Sequence, residues 1–295
     1  MTDTRDDVCS DDCFEHDLGH GLGRREFAAL ALGTGVALAA GSARGAVPVK
    51  ENDVTIKTAD GSCDAVFTHP TSGAAPGVLI WTDILGLRPV FRDMARRLAG
   101  EGYAVLCPNP FYRTSKAPTF APDFDFQAPG GREQAMGHAG KLQAAGAAER
   151  DATTFVAWLD SQAAVKKTSK IGTTGYCMGG PLVMRTAATI PDRVGAVGSF
   201  HGGGLVTDKP DSPHLLIPKM KARYLIAVAD NDDKAQPTAK DTLKASFAAA
   251  KLNAEIEVYE AALHGWCVPG SRVYHEAQAE RAWTRLLANF KTALV

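Results

Sequence analysis

Gly175-Tyr176-Cys177-Met178-Gly179-Gly180 carries the strongest structural signal in this chain. It follows an apolar run at residues 170–174 and precedes residues 181–188, whose apolar positions have the spacing of a helix. A cysteine therefore stands at the apex of a predicted strand, sharp turn and helix. The flanking glycines permit a strained backbone and a close approach of helix to strand, and the helix N-terminus favours a thiolate. The pattern predicts a nucleophile elbow built around Cys177.

The composition is that of an ordinary globular protein. The chain has 295 residues, of which 45% are hydrophobic and 22% charged, with a formal net charge of -1. These values predict one large α/β domain, and the absence of a basic stripe argues against nucleic acid as a partner. The cysteines have no paired C-x-x-C spacing, although a Cys63–Cys107 or a Cys107–Cys267 disulfide stays open. We expect neither a metal nor a cofactor.

The first 45 residues have the features of an export leader. Arg24 and Arg25 directly precede the uncharged, Ala- and Gly-rich residues 28–41, and small residues follow. This order resembles a twin-arginine signal and predicts the twin-arginine export machinery as a partner and a periplasmic location. The apolar run is too short for a stable membrane anchor. A buried N-terminal helix of a cytoplasmic protein is the alternative. Four side chains in this leader lack the spacing of a zinc site: Cys9, Cys13, His16 and His20.

Strand and helix patterns alternate along the rest of the chain, which we expect to form the catalytic domain, residues 46–295. Strands are predicted at residues 54–57, 63–67, 77–81, 103–107, 170–174, 194–200, 224–229 and 254–259. Helices are predicted at residues 90–100, 148–161, 181–188, 238–251 and 274–290. The alternation indicates a doubly wound, mostly parallel sheet with helices on both faces. Residues 108–147 are rich in Pro and Gly, and we expect an irregular loop beside the active site.

A cysteine nucleophile requires a base, and the base requires an acid that holds its tautomer. In a fold of this kind the chain order is nucleophile, acid, histidine. His264 follows the predicted strand that ends at residue 259, which makes it the candidate base. His201 competes with it, but His201 precedes the strand that carries the acid.

The candidate acid is Asp232, which follows the predicted strand ending at residue 229. Asp230 and Asp233 lie at the same strand end and remain alternatives. Ends of parallel strands at this edge are where sites of open α/β sheets form. The oxyanion of the reaction requires two backbone N–H donors, for which we predict Met178 and Ile84.

With these residues in place, the chain resembles the dienelactone hydrolase family of α/β-hydrolases over about residues 52–292. Four stretches carry the resemblance: residues 175–180, Leu263-His264-Gly265-Trp266, Ile84-Leu85-Gly86-Leu87 and residues 99–113. The resemblance implies the α/β-hydrolase fold and hydrolysis of lactones and esters, as by a carboxymethylenebutenolidase. It also implies a Cys-Asp-His triad, an acyl-enzyme, no cofactor and a small-molecule substrate. We expect a monomer.

The family resemblance also implies two substrate-binding residues. Arg113 matches the position of an arginine that binds the substrate carboxylate, with an ordinary surface arginine as the alternative. Asp83 stands where the family has a glutamate that contacts the resting cysteine, and it is one methylene shorter. A second arginine expected just after the histidine is absent, and Arg272 comes further along. Substrate choice is therefore expected to depart from dienelactone.

Two other functions remain open from the sequence. One is a thioesterase or acyl-transfer enzyme that uses the same triad. The other is a non-hydrolytic binding or thiol-sensing protein on a hydrolase scaffold, since an exported thiol of low pKa is open to oxidation. A complete set of nucleophile, acid and base argues for catalysis.

Overall fold

The computed structural model describes residues 46–294, so the predicted leader lies outside the described residues. The strands are β1 (Val49–Thr58), β2 (Gly61–Pro70), β3 (Gly77–Trp81), β4 (Ala104–Pro108), β5 (Ile171–Tyr176), β6 (Val194–Phe200), β7 (Arg223–Ala229) and β8 (Ala254–Tyr259). The helices are α1 (Pro89–Gly100), α2 (Gly131–Gln143), α3 (Ala147–Ser161), α4 (Gly179–Thr189), α5 (Asp230–Ala235), α6 (Ala239–Ala249) and α7 (Glu276–Leu294). A 3₁₀ helix spans Pro213–Lys219.

The eight strands form one sheet in the order β1-β2-β4-β3-β5-β6-β7-β8. β2 pairs antiparallel with both β1 and β4, and all other neighbours are parallel. The central strands β3 and β5 are buried along their whole length, as expected for parallel strands covered on both faces. The sequence-based prediction of a mostly parallel, doubly wound sheet is confirmed.

Helices cover both faces of the sheet. One hydrophobic core lies between the sheet and α3, α4 and α6, and it includes Phe155, Val183 and Phe247. The second core lies between the opposite face and α1 and α7, and it includes Phe91 and Leu286. Because β3, β5, β6, β7 and β8 run parallel, their carboxyl ends lie along one edge of the sheet. The loops that carry the candidate site emerge at this edge.

Residues 108–147 differ from the expected irregular loop, because α2 occupies their second half. The sequence obscured this helix, since Gly131, Gly137 and Gly140 lower its intrinsic propensity. The helix is stabilised by packing: Ala135 and Ala139 are buried in a small apolar cluster. The short helix α5 was also not predicted, and it places the candidate acids on a helical turn.

Each cysteine that the structure describes is a free thiol: Cys63, Cys107, Cys177 and Cys267. Neither of the two disulfides left open by the sequence is formed. Among residues 46–294 no helix is long and apolar enough to cross a membrane. The metal-capable side chains of the leader lie outside this range.

Candidate active site

The nucleophile elbow is a backbone structure that few sequences tolerate. Cys177, between β5 and α4, has a φ of 52°, a left-handed conformation that is rare for a residue with a side chain. A Cβ on Gly175 would lie 2.2 Å from the carbonyl oxygen of Gly179. The strand therefore turns into the helix at a distance that only glycine allows, and this turn presents the half-buried Cys177 side chain at the sheet edge.

Contacts of the Cys177 backbone hold the elbow in place. Its N–H donates to the carbonyl oxygen of Phe200 at 3.0 Å and to Nδ1 of His201 at 3.1 Å. Its carbonyl oxygen accepts from the N–H of Gly180 at 2.9 Å. The end of β6 and the residue after it thus fix the strained turn by hydrogen bonds.

His264 and Asp232 lie together at the neighbouring strand ends. Nδ1 of His264 is 2.7 Å from Oδ2 of Asp232, and both side chains are largely buried. The two alternative acids bind lysines instead: Asp230 contacts Lys234 at 2.9 Å and Asp233 contacts Lys240 at 2.7 Å. Of the three aspartates, Asp232 is the one whose carboxylate orients the imidazole.

Backbone contacts tie the histidine loop to α5. The N–H of His264 donates to Oδ1 of Asn231 at 2.8 Å, and the N–H of Asp230 donates to the carbonyl oxygen of Ala262 at 2.9 Å. Asn231 was not singled out from the sequence. It holds the backbone on which the imidazole is mounted.

The electrostatics of the site favour a positively charged His264. Burial alone would lower the pKa of His264. The negative charge of Cys177 and the hydrogen bonds to Asp232 and Cys177 outweigh burial, so this pKa stands well above its usual range. Because Nδ1 is engaged by Asp232, the other ring nitrogen is the one available to the thiol. The arrangement places an imidazole of raised pKa in hydrogen-bond contact with Cys177.

His201 plays a part that the sequence did not reveal. It is 1% exposed, and its ring lies edge-on to the rings of His264 and Trp266, at centroid distances of 5.0 and 5.1 Å. Burial, followed by the positive charge of His264, holds the pKa of His201 well below its usual range. A neutral His201 accepts the Cys177 N–H at Nδ1, so it supports the backbone of the elbow.

The start of α4 touches the end of β3, which brings together the two segments that carry the predicted oxyanion donors. A Cβ on Gly179 would lie 2.4 Å from the carbonyl oxygen of Trp81. Within the described chain, the N–H groups of Ile84 and Met178 donate to no protein acceptor. Half-buried N–H groups without a partner are suited to a developing oxyanion.

Asp83 is engaged by groups other than the thiol. Its carboxylate accepts two hydrogen bonds from the guanidinium of Arg88, at 2.6 and 2.8 Å, and one from the N–H of Leu85 at 2.9 Å. These contacts shape the turn that presents Ile84. The shorter side chain of aspartate, noted in the sequence, thus braces the turn that contains Ile84.

Arg113 is likewise engaged by carboxylates. Its guanidinium donates two hydrogen bonds to the buried Asp151, at 2.8 and 2.7 Å, and others to Asp60 at 2.6 and 3.1 Å. Its side chain is 10% exposed. These contacts join the β1–β2 turn to α3 and do not leave the guanidinium free to bind a substrate carboxylate.

Replacing Asp232 with asparagine is expected to lower kcat/KM about 10³-fold, because the amide no longer holds the imidazole tautomer. It also removes a charge that raises the pKa of His264, so the alkaline limb of the pH–kcat/KM profile should move to lower pH. The matched control is Asp233→Asn, which should leave both rate and profile close to those of the unaltered chain. Equal losses in the two variants would refute the assignment.

No group of three or more His, Cys, Asp or Glu side chains within residues 46–294 is arranged to hold a metal ion.

Comparison with known proteins finds similarity to one family of hydrolases. A model of the dienelactone hydrolase family matches residues 63–294. The carboxymethylenebutenolidase of Pseudomonas putida is 27% identical, with 79% of this chain and 93% of that protein aligned. The carboxymethylenebutenolidase of Rhodococcus opacus is 26% identical, with 77% and 86% aligned.

A solved structure shows the same fold. It is that of a dienelactone hydrolase-like promiscuous phosphotriesterase from metagenomic libraries. The TM-score is 0.69 at 22% identity, with 85% of this chain and 100% of that chain covered.

Proposed function

Since the chain belongs to the dienelactone hydrolase family and is a hydrolase acting on ester or lactone bonds, we propose that it cleaves them by covalent catalysis with Cys177, Asp232 and His264. The observation that carries the proposal is the 2.7 Å contact between His264 and Asp232 next to a cysteine in a strained elbow. Carboxymethylenebutenolidase activity in its relatives is consistent with this chemistry.

The proposed reaction begins with the Cys177 thiolate attacking the carbonyl carbon. The carbonyl oxygen becomes an oxyanion that accepts from the N–H groups of Met178 and Ile84. When the intermediate collapses, the carbon–oxygen bond to the leaving group breaks and His264 donates its proton to that oxygen. The product of this half-reaction is a thioester on Cys177.

Water completes the proposed cycle. The now neutral His264 takes a proton from water, and the resulting hydroxide adds to the thioester carbonyl. Collapse of this second intermediate breaks the carbon–sulfur bond. It releases a carboxylic acid and restores the thiolate beside a protonated His264. Asp232 keeps the imidazole in one orientation through both steps.

The test is to trap the acyl-enzyme on Cys177. We expect acid quenching during turnover of p-nitrophenyl butyrate, followed by peptide mass spectrometry, to find one butyryl group on Cys177. Prior treatment with iodoacetamide should abolish turnover. Burial raises the pKa values of the Cys63, Cys107 and Cys267 thiols, so these should react slowly.

The leader cysteines are removed from this experiment by a Cys9→Ser, Cys13→Ser background of the full chain. Undiminished turnover after alkylation of Cys177, or an acyl group on another residue, would refute the mechanism. Turnover with water as the sole acceptor separates hydrolysis from acyl transfer to a second substrate. An alkylated Cys177 in a chain that turns over no ester would favour the binding or thiol-sensing alternative.

Export through the twin-arginine machinery is part of the same proposal. It is supported by the paired arginines Arg24 and Arg25 directly before the apolar residues 28–41. A hydrolase in the periplasm would act on substrates before they enter the cell.

A further inference from the structure

An apolar cluster lies against both proposed oxyanion donors. Its buried members come from the segment between β4 and α3, and its half-buried members come from that segment, from the loop after β3 and from the residue before α4. The buried members are Phe111, Phe120, Ala135 and Ala139. The half-buried members are Ile84, Leu85, Phe124, Phe126 and Met178. Met178, which packs against this cluster, is the residue directly after Cys177.

The rings in this cluster support one another. Phe120 and Phe124 have ring centroids 4.2 Å apart, and Phe120 contacts Phe111 edge-on at 6.4 Å. Phe124 is only half-buried, so it has ring surface left for another apolar group. Leu263, directly before His264, is a further exposed apolar side chain. The surface of this cluster is therefore built to contact hydrocarbon.

The arginines suggested as carboxylate receptors are paired with aspartates. Arg113 is held by Asp60 and Asp151. Arg272 donates to Oδ2 of Asp125 at 2.9 Å. Neither guanidinium is left as an unopposed positive charge for a substrate anion.

The Arg272–Asp125 pair also has a place in the site's architecture. Asp125 lies between Phe124 and Phe126, and Arg272 lies in the loop that follows His264. The ion pair therefore joins the apolar cluster to the loop that carries His264, the proposed base. It is solvent-exposed, so its net contribution to stability is small. Its effect is to neutralise the positive charge of Arg272.

An anionic substrate would meet an unfavourable site. Its carboxylate would lose hydration against phenylalanine and leucine side chains, and neither Arg113 nor Arg272 is an unopposed cation that could compensate for it. An uncharged acyl group would instead gain contact with those same side chains. Resting on the proposed function, we propose that the substrates are uncharged esters or lactones whose acyl portion packs on Phe124 and its apolar neighbours.

The test is a pair of esters that differ in charge and little in shape. These are p-nitrophenyl trans-crotonate and the p-nitrophenyl half-ester of fumarate, which replaces the terminal methyl group with a carboxylate. The trans double bond prevents that carboxylate from attacking its own ester. We expect kcat/KM, divided by the hydroxide rate constant of each ester, to favour the crotonate about 100-fold.

Two substitutions, each compared with a second variant, locate the origin of this preference. Asp125→Asn keeps an oxygen for the Gln127 N–H but removes the charge that opposes Arg272, so the crotonate-to-fumarate ratio should fall about fivefold. The matched control is Asp160→Asn, which frees Arg193 at the opposite edge of the sheet and should leave the ratio unchanged. Phe124→Ala should raise KM for the crotonate about tenfold at nearly constant kcat. Phe124→Leu should have a KM close to that of the unaltered chain.

The outcomes separate this inference from the proposed function. Turnover with a ratio near one, or with a preference for the fumarate half-ester, would overturn the inference while hydrolysis by Cys177 stands. An unchanged crotonate-to-fumarate ratio in Asp125→Asn would overturn the role that the inference gives to the Arg272–Asp125 ion pair. No turnover of either ester, with Cys177 fully reactive to iodoacetamide, would overturn the proposed function itself.

Discussion

Replacement of Cys177 by alanine is expected to lower kcat/KM for any ester by about 10⁴-fold or more, because the atom that forms the covalent bond is lost. The remaining rate would come only from the oxyanion donors and from substrate positioning. The measurement is steady-state hydrolysis of p-nitrophenyl butyrate by the full chain, after a circular dichroism check of the fold.

The matched control for this loss is Cys63→Ala. Cys63 is a buried thiol on β2, and its Sγ hydrogen-bonds to carbonyl oxygens of Asp64 and Asn109. Its removal costs some stability but should leave kcat/KM within a few-fold of the original value. Full activity in Cys177→Ala would contradict the entire mechanism. A large loss in Cys63→Ala would show that the assay reports folding and not chemistry.

Gly175→Ala is expected to destabilise the protein by about 3 kcal/mol or more, or to prevent its folding. The added Cβ would lie 2.2 Å from the carbonyl oxygen and 2.5 Å from the carbonyl carbon of Gly179. These are backbone atoms, so no side-chain rotation relieves the overlap. Relief requires α4 to move away from β5, which also displaces Cys177. Urea denaturation of the two chains measures the difference.

Gly140→Ala provides the control for that experiment. Gly140 lies in α2, and a Cβ there has no atom within 4 Å. The substitution should raise stability by up to about 1 kcal/mol, because alanine has the higher helix propensity. A Gly175→Ala chain as stable as the original would mean that the elbow does not require the close approach of strand and helix.

The elbow around Cys177 could be predicted from the sequence because the residues that determine it are close together in the chain. Glycine spacing around Cys177, a preceding apolar run and a following helical pattern all lie within about twenty residues. The alternation of strands and helices likewise predicted the parallel sheet. The helix α2 was missed because its glycines weaken the local signal, and burial of Ala135, Ala139 and Leu142 in apolar clusters stabilises it.

The acid shows where sequence reasoning reaches its limit. Asp230, Asp232 and Asp233 follow the same strand and are chemically alike. Asp232 contacts a histidine 32 residues away, whereas the others contact lysines. The three side chains point in different directions because they lie on the helical turn α5, and the sequence did not predict this helix.

The sequence by itself determined the hydrolase fold, the cysteine at the apex of the elbow and the histidine proposed as base, since short-range spacing and chain order encode them. Only the tertiary structure decided which aspartate faces His264 and that Arg113 pairs with Asp151, 38 residues away. It also decided that His201 supports the elbow. These are contacts between segments remote in sequence, and their distances are set by how the strands and helices pack.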